Sequence, residues 1–294
     1  MAEVMPETNW DALTDEQLDA MERKIAAKYM GGFPLTMVLW GFTNTAVWLA
    51  LWPLVLTGTM PLWLAFPIAL FNVTAAYLPS HDAQHSIIAR RGHKLRWLNE
   101  LLGHVSLIPF AAPFRYLRHT HFEHHAHAND PALDPDYDVH AENRWQFFRQ
   151  AVMQMQPASA KGKQAYPETL KRIGQEHLVL EALAFRSVYL LVLFTMAWAG
   201  YALEAALLWW VPILLSQIYI RYYLSWKPHH PAVETGRYRD TSAFRSSLGN
   251  LGSSGMQYHI VHHLYPRIPL TKTPAAYREL RPILERRGCE SRGL

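Results

Sequence analysis

Two long stretches of the chain carry almost no charge. From Leu35 to Ser80 there is no Lys, Arg, Asp or Glu, and from Ser187 to Ile220 the single charged side chain is Glu204. Helices of a soluble core keep a polar face toward water, so charge-free runs of this length point to lipid surroundings. A helix of about 20 apolar residues spans a bilayer, and each stretch has room for two spans and a tight turn. The pattern predicts helices at about Pro34–Leu56 and Pro61–Leu78, joined by Thr57-Gly58-Thr59-Met60, with Pro61 opening the second. It predicts two more at about Ala184–Tyr201 and Ala206–Leu224, with Ala199-Gly200 at the turn. The expected fold class is an all-α integral membrane protein, four transmembrane helices in two hairpins with a cytoplasmic helical cap.

The polar remainder falls into three segments: the N-terminus, residues 80–183, and the tail from Trp226. All 28 Lys and Arg lie outside the charge-free stretches, and neither hairpin turn carries one. The positive-inside bias therefore puts the three polar segments and both termini on the cytoplasmic side, a bacterial-type inner membrane being the expected location. Trp48, Trp52, Trp63, Trp198, Trp209 and Trp210 gather toward the turn side, where aromatic rings favour the membrane interface. Leu101–Phe114 is apolar but too short to span and reads as an interfacial or re-entrant helix. Pro274–Arg287 mixes apolar and basic residues and reads as a helix lying on the core or on lipid. Residues 1–33 form an amphipathic N-terminal cytoplasmic segment ahead of a membrane domain over 34–294. In that segment Thr14 and Gln17 have capping-box spacing, opening a helix to about Tyr29. The acids Glu3, Glu7, Asp11, Asp15 and Glu16, with no apolar run, do not fit a signal peptide.

Composition changes this picture little. Half the residues are hydrophobic, yet mean hydropathy is only −0.08, because apolar spans are averaged with very polar segments. The net charge of +4 raises nucleic acid as a partner. No interleaved basic and aromatic stripe supports it, and cytoplasmic-side Lys and Arg account for the excess. The single cysteine, Cys289, leaves no disulfide framework and no internal iron–sulfur cluster, consistent with a reducing compartment. There is no internal repeat, low-complexity tract or GxGxxG dinucleotide site.

Histidine is the informative residue. There are 16, and they cluster: His81-Asp82-Ala83-Gln84-His85, then His119 to His127, then His259-Ile260-Val261-His262-His263. Helical residues three and four apart share a face. His81 with His85, His121 with His124 and His125, and His259 with His262 and His263 satisfy that spacing. Neutral imidazole suits iron, copper, nickel and zinc. Eight such donors exceed the needs of one four-coordinate zinc, whereas two irons of four or five ligands each would use them and keep positions open for O2. His119 and His127 fall outside the HxxHH register and read as supporting residues, and isolated His93, His104, His140 and His177 read as ordinary surface or satisfied histidines. Metal-bound histidines usually donate their other N–H to a carboxylate or carbonyl. Asp82 and Asp130 are favoured for that role, with Glu123, Asp134 and Asp136 left open beside a solvated acidic loop. A metal transporter would carry its ionisable ligands inside the spans, which here lack histidine. A zinc hydrolase would show HExxH, which is absent.

HxxxH, HxxHH and HxxHH in this order, around two apolar hairpins, resembles the membrane fatty acid desaturase superfamily over roughly Asn72 to Gly288. The resemblance implies a non-haem diiron centre, O2 as oxidant, a lipid substrate and electrons from an external carrier such as ferredoxin. Carried over, the iron ligands are His81, His85, His121, His124, His125, His259, His262 and His263. The superfamily often has one more between the second and third boxes. Pro228-His229-His230-Pro231 offers it, with His229 preferred and His230 spare. The runs His124-His125-Ala126-His127 to Asp136 and Tyr258 to Pro269, with the ending Tyr277 to Gly288, are similar to β-carotene hydroxylases of the cyanobacterial type. Carotenoid ring hydroxylation is therefore the first expectation and fatty acyl desaturation the alternative, with a membrane metal-binding transporter remote. Arg90, Arg91, Lys94 and Arg96 would suit an acidic carrier, or equally lipid headgroups.

Overall fold

The structure is a computed structural model and describes residues 9–155 and 164–294. Thr14 starts helix α1 (Asp15–Tyr29) with the expected capping box: its side chain accepts from the Gln17 N–H, and Gln17 accepts from the Thr14 N–H. Among the described residues, four helices are long and apolar enough to cross a membrane: α2 (Leu35–Leu56), α3 (Leu62–Gln84), α8 (His177–Trp198) and α9 (Ala202–His229). Between α3 and α8 lie α4 (Arg96–Ser106), α5 (Phe114–His127), α6 (Arg144–Gln154) and α7 (Ala165–Arg172). After α9 come the short α10 (His259–Leu264) and α11 (Thr273–Arg286). A two-residue parallel pairing of Ala243–Phe244 with Ser291–Arg292 ties the tail back.

The spans differ from their sequence-based bounds mainly at the ends away from the turns, although α8 also stops at Trp198 instead of Tyr201 and α9 starts at Ala202 instead of Ala206. α3 runs on to Gln84 instead of stopping near Leu78, α8 begins at His177 instead of Ala184, and α9 extends to His229 instead of Leu224. Apolar content marks where a helix crosses lipid, but the backbone ladder continues into polar surroundings as long as side chains there find partners. Leu101–Phe114 is a larger departure. The helix begins at Arg96 and ends at Ser106, and α5 starts afresh at Phe114. The break contains Pro109, Pro113 and Ala111 with a left-handed φ of 52°, none of which continues a helix. The helix expected at Pro274–Arg287 appears as α11, packed on α1 and α10 through Ile25, Ile260, Leu264, Leu280 and Ile283.

α3 packs against both α2 and α9. Buried polar pairs fix these contacts, since lipid tails offer no hydrophobic drive between helices. Asn44 Nδ2 donates to the Asn72 carbonyl at 2.8 Å, and Asn72 Nδ2 returns to Asn44 Oδ1 at 2.7 Å. Thr74 and Ser216 hydroxyls meet at 2.8 Å. Trp48, one of the tryptophans on the turn side, faces the protein interior. It is buried against Trp52 and Trp209, and its indole N–H donates to the Leu208 carbonyl at 3.0 Å. Trp63 and Trp198 are exposed. Gly103 lets α4 lie against the buried Phe114 that starts α5, because a Cβ there would meet the ring at 2.4 Å. That contact sets where the second histidine cluster is presented.

Candidate metal centre

Four elements deliver nine histidines to one place. His81 sits on the last turns of α3 and His85 caps it. His121, His124 and His125 come from α5, and His259, His262 and His263 from α10. His229 is at the end of α9, three residues past a wide π-type turn over Arg221–Trp226. Such turns shift the register of everything that follows, and they recur at functional sites.

The donors sort into two sets. Ligand atoms of His81, His85, His121 and His262 all lie within 4.8 Å of one another, and so do those of His124, His229, His259 and His263. His125 stands between the sets. Its Nε2 is 3.1 Å from that of His121 and 3.0 Å from that of His262, while its ring stacks on His263 at 4.2 Å.

The nitrogens are wired for a cation. His124 Nδ1–H donates to Asp134 Oδ1 at 2.9 Å, and His229 Nδ1–H donates to the Asp240 carbonyl at 2.8 Å. With Nδ1 holding the proton, a neutral ring presents a lone pair at Nε2. The two Nε2 atoms face each other at 3.2 Å, which requires a proton or a metal ion between them. Nε2 of His259 and of His263 have no hydrogen-bond partner, so one shared proton cannot serve the set. In the other set His121 Nε2 faces both His85, at 2.9 Å, and His125. One nitrogen holds either a proton or a single in-plane lone pair, so these contacts cannot all be hydrogen bonds. Donors about 2.1 Å from one ion lie about 3.0–3.4 Å apart, close to the 2.9–3.2 Å of the contacting pairs here, and each set of four lies within 4.8 Å. The residues present therefore fit a pair of metal ions.

Electrostatics agree. Burial, then the neighbouring imidazoles, hold His85, His121, His125, His259, His262 and His263 well below the ordinary imidazole range, in the neutral form that ligates. His124 differs. Burial opposes its charge, but the Asp134 carboxylate beside it prevails and raises it to about 9. For Asp134 burial likewise opposes the charge, while His124 and the N–H groups of Asp136 and Asn129 hold its carboxyl down. These shifts predict a pH signature for the chelator-stripped protein. The unfolded chain takes up protons on imidazole near pH 6.5 while the buried six do not, so stability falls as pH drops from about 7 to about 5. His124 acts oppositely: its contribution is full below about 6.5 and is lost as pH rises toward 9. Thermal unfolding in detergent should thus show a maximum near neutrality, and a Tm that rises on acidification would contradict the buried neutral cluster.

Neither of the two favoured carboxylates, Asp82 and Asp130, bonds a histidine ring among the described residues. Asp130 caps its own loop, accepting from the N–H groups of Ala132 and Leu133, and reaches no histidine. Asp82 is buried, and among the described residues its carboxylate makes no hydrogen bond to a histidine. The His124 and His229 ring N–H groups are held instead by Asp134 and by the Asp240 carbonyl, linked by Asn129. The Asn129 N–H donates to Asp134 Oδ2, and its Nδ2 donates to the Asp240 carbonyl at 2.8 Å. Ten residues separate Asp134 from His124, a spacing with no helical meaning, and a backbone carbonyl leaves no side-chain signal. Asp136 instead accepts from Tyr166 and Ser225, and Glu123 pairs with Arg172. His119, His127 and His230 stay outside both sets, His230 lying against Trp226. Arg96 is structural, bonding Ser86 and the Ala89 carbonyl and pairing with Glu100, whereas Arg90, Arg91 and Lys94 are exposed.

Residues 46–292, most of the chain, match the fatty acid desaturase family profile. The chain belongs to the fatty acid desaturase family. A zeaxanthin 4-ketolase of Chlamydomonas reinhardtii is 27% identical over 76% of this chain and 46% of its own length. A beta-carotene 4-ketolase of Protosiphon botryoides is 28% identical over 76% of this chain and 51% of its own. An sn-1 oleoyl-lipid 12-desaturase of Anabaena variabilis is 36% identical over 31% of this chain and 23% of its own. This desaturase-family chain thus spans about half the length, or less, of these curated relatives. All nine converging histidines fall inside the matched region.

Proposed function

We propose that this protein is an integral membrane, O2-dependent oxidoreductase that uses two iron ions to oxidise an unactivated C–H bond of a long apolar lipid. The observation that carries the reading is the convergence of nine buried or half-buried histidines, eight of them in two donor sets of four with His125 between. His81, His85, His121, His125 and His262 would hold one ion, and His124, His229, His259 and His263 the other. Bound iron supplies O2 reduction with two external electrons and two protons. Insertion into C–H gives an alcohol and one water; removal of two hydrogens gives an alkene and two waters.

The chain's own residues supply the setting. Asp134 and the Asp240 carbonyl hold the His124 and His229 rings with Nε2 inward. Burial keeps the other imidazoles neutral and excludes bulk water. The Lys and Arg distribution supports a cytoplasmic side for both termini and the histidine end, where a ferredoxin or similar small carrier would deliver electrons.

For the substrate, a carotenoid ring is favoured. The ketolase relatives align over 76% of this chain, against 31% for the Anabaena desaturase. A ring ketone arises by two hydroxylations of one carbon and loss of water, so the hydroxylation expected from sequence is its elementary step. Fatty acyl desaturation is the second reading, favoured by the higher local identity to the oleoyl-lipid desaturase. Expression in a β-carotene-producing bacterium, with carotenoids and acyl chains profiled by mass spectrometry, separates them. Hydroxylated or keto carotenoids are the expected result. New double bonds in acyl chains over an unchanged carotenoid pool would replace it with the desaturase reading, and purified protein holding zinc without iron would overturn both.

A further inference from the structure

Helix α1 lies ahead of the family-matched residues 46–292, yet one of its side chains enters the core behind the metal centre. Its buried face is Leu18, Glu22, Ile25 and Ala26, so a carboxylate interrupts an apolar stripe. Glu22 is 1% exposed. An unpaired buried carboxylate is costly, and here three groups converge on it. Tyr265 donates to Oε1 at 2.7 Å, Tyr238 donates to Oε2 at 3.0 Å, and Arg237 reaches Oε1 at 3.3 Å. The Arg237 guanidinium also lies over both tyrosine rings, at 5.6 Å and 5.4 Å.

What these tyrosines adjoin gives the arrangement meaning. Tyr265 is two residues beyond His263 and caps α10, its N–H donating to the Val261 carbonyl. Tyr238 is two residues before Asp240, whose carbonyl accepts from His229 Nδ1. His263 and His229 belong to one donor set, with ring centroids 4.8 Å apart. Their segments are joined by chain only through the loop between α9 and α10, whose residues near Asp240 carry no helix. We infer that Glu22 is a positioning residue for the second metal ion, clamping the His229 and His263 segments together from the N-terminal helix. The inference rests on the two-iron reading. It makes residues 15–29 a working part of the site, although they carry none of its ligands.

The test is iron stoichiometry of purified full-length protein in detergent, with helical content by circular dichroism, gel-filtration behaviour and the Mössbauer spectrum of iron-57 protein. Wild type should hold about two irons per chain, and a protein that cannot would sink the two-iron reading before any variant is made. In E22A, iron is expected to fall to about one per chain, with one of two spectral components lost and helicity and elution unchanged. E22Q keeps the shape and one acceptor oxygen, so it should retain more of the second ion than E22A does. Two firmly held irons and a wild-type spectrum in both variants would overturn the inference. Loss of both irons together with helical content would also overturn it, by showing that Glu22 only stabilises the fold.

Discussion

Replacing His124 by alanine is expected to cut lipid oxidation by more than about 100-fold while leaving the helical fold in place. His124 is the histidine of the cluster whose ring N–H is held by a buried carboxylate. Its Nε2 meets that of His229 at 3.2 Å, its ring lies 5.2 Å from that of His263, and its Nδ1–H is held by Asp134. Alanine removes one of four donors in its set and leaves the buried Asp134 carboxylate without its partner. Oxidised product in cells and iron per chain in purified protein are the two readouts. Wild-type product from the variant would rule out the metal assignment, whatever the substrate proves to be.

Exchange of Asp134 for asparagine is expected to weaken metal binding by about 10–100-fold, while the same exchange at Asp130 should have little effect. The carboxylate fixes the His124 tautomer and raises its basicity, and asparagine can turn its amide toward Nδ1 and lose both. Asp130 only accepts from the N–H groups of Ala132 and Leu133. Competition against a coloured chelator, with iron retention read for both variants, distinguishes the two positions. Equal losses at Asp130 and Asp134 would point to a shared loop-folding role.

This pair of carboxylates shows where sequence reasoning reached its limit. The second cluster's histidines sit three and four residues apart on α5, and that local periodicity identified them as facing together. No comparable rule links His124 to Asp134 across a turn, or His229 to a backbone carbonyl at Asp240. Arg96 illustrates the opposite error. In the sequence it belongs to a basic run, but in the fold its guanidinium holds Ser86 and the Ala89 carbonyl in place after the first cluster.

The sequence by itself determined the four apolar helices, the three histidine boxes and the excess of donors over a single ion, while His229 is singled out only through the family resemblance. These features are written in near neighbours: absence of charge over a span and three- and four-residue spacing. The tertiary structure decided the division of nine histidines into two sets, with His125 between them, because that depends on where α3, α5, α9 and α10 end in space. It also decided that Asp134 rather than Asp130 supports His124, and that Glu22 is an interior anchor, not a solvated helix charge. The physical reason is common to all three. A polar group's role is set by which partners share its buried, low-dielectric surroundings, and here those partners are 137 residues apart for His125 and His262, 10 for His124 and Asp134, and 216 and 243 for Glu22 with Tyr238 and Tyr265.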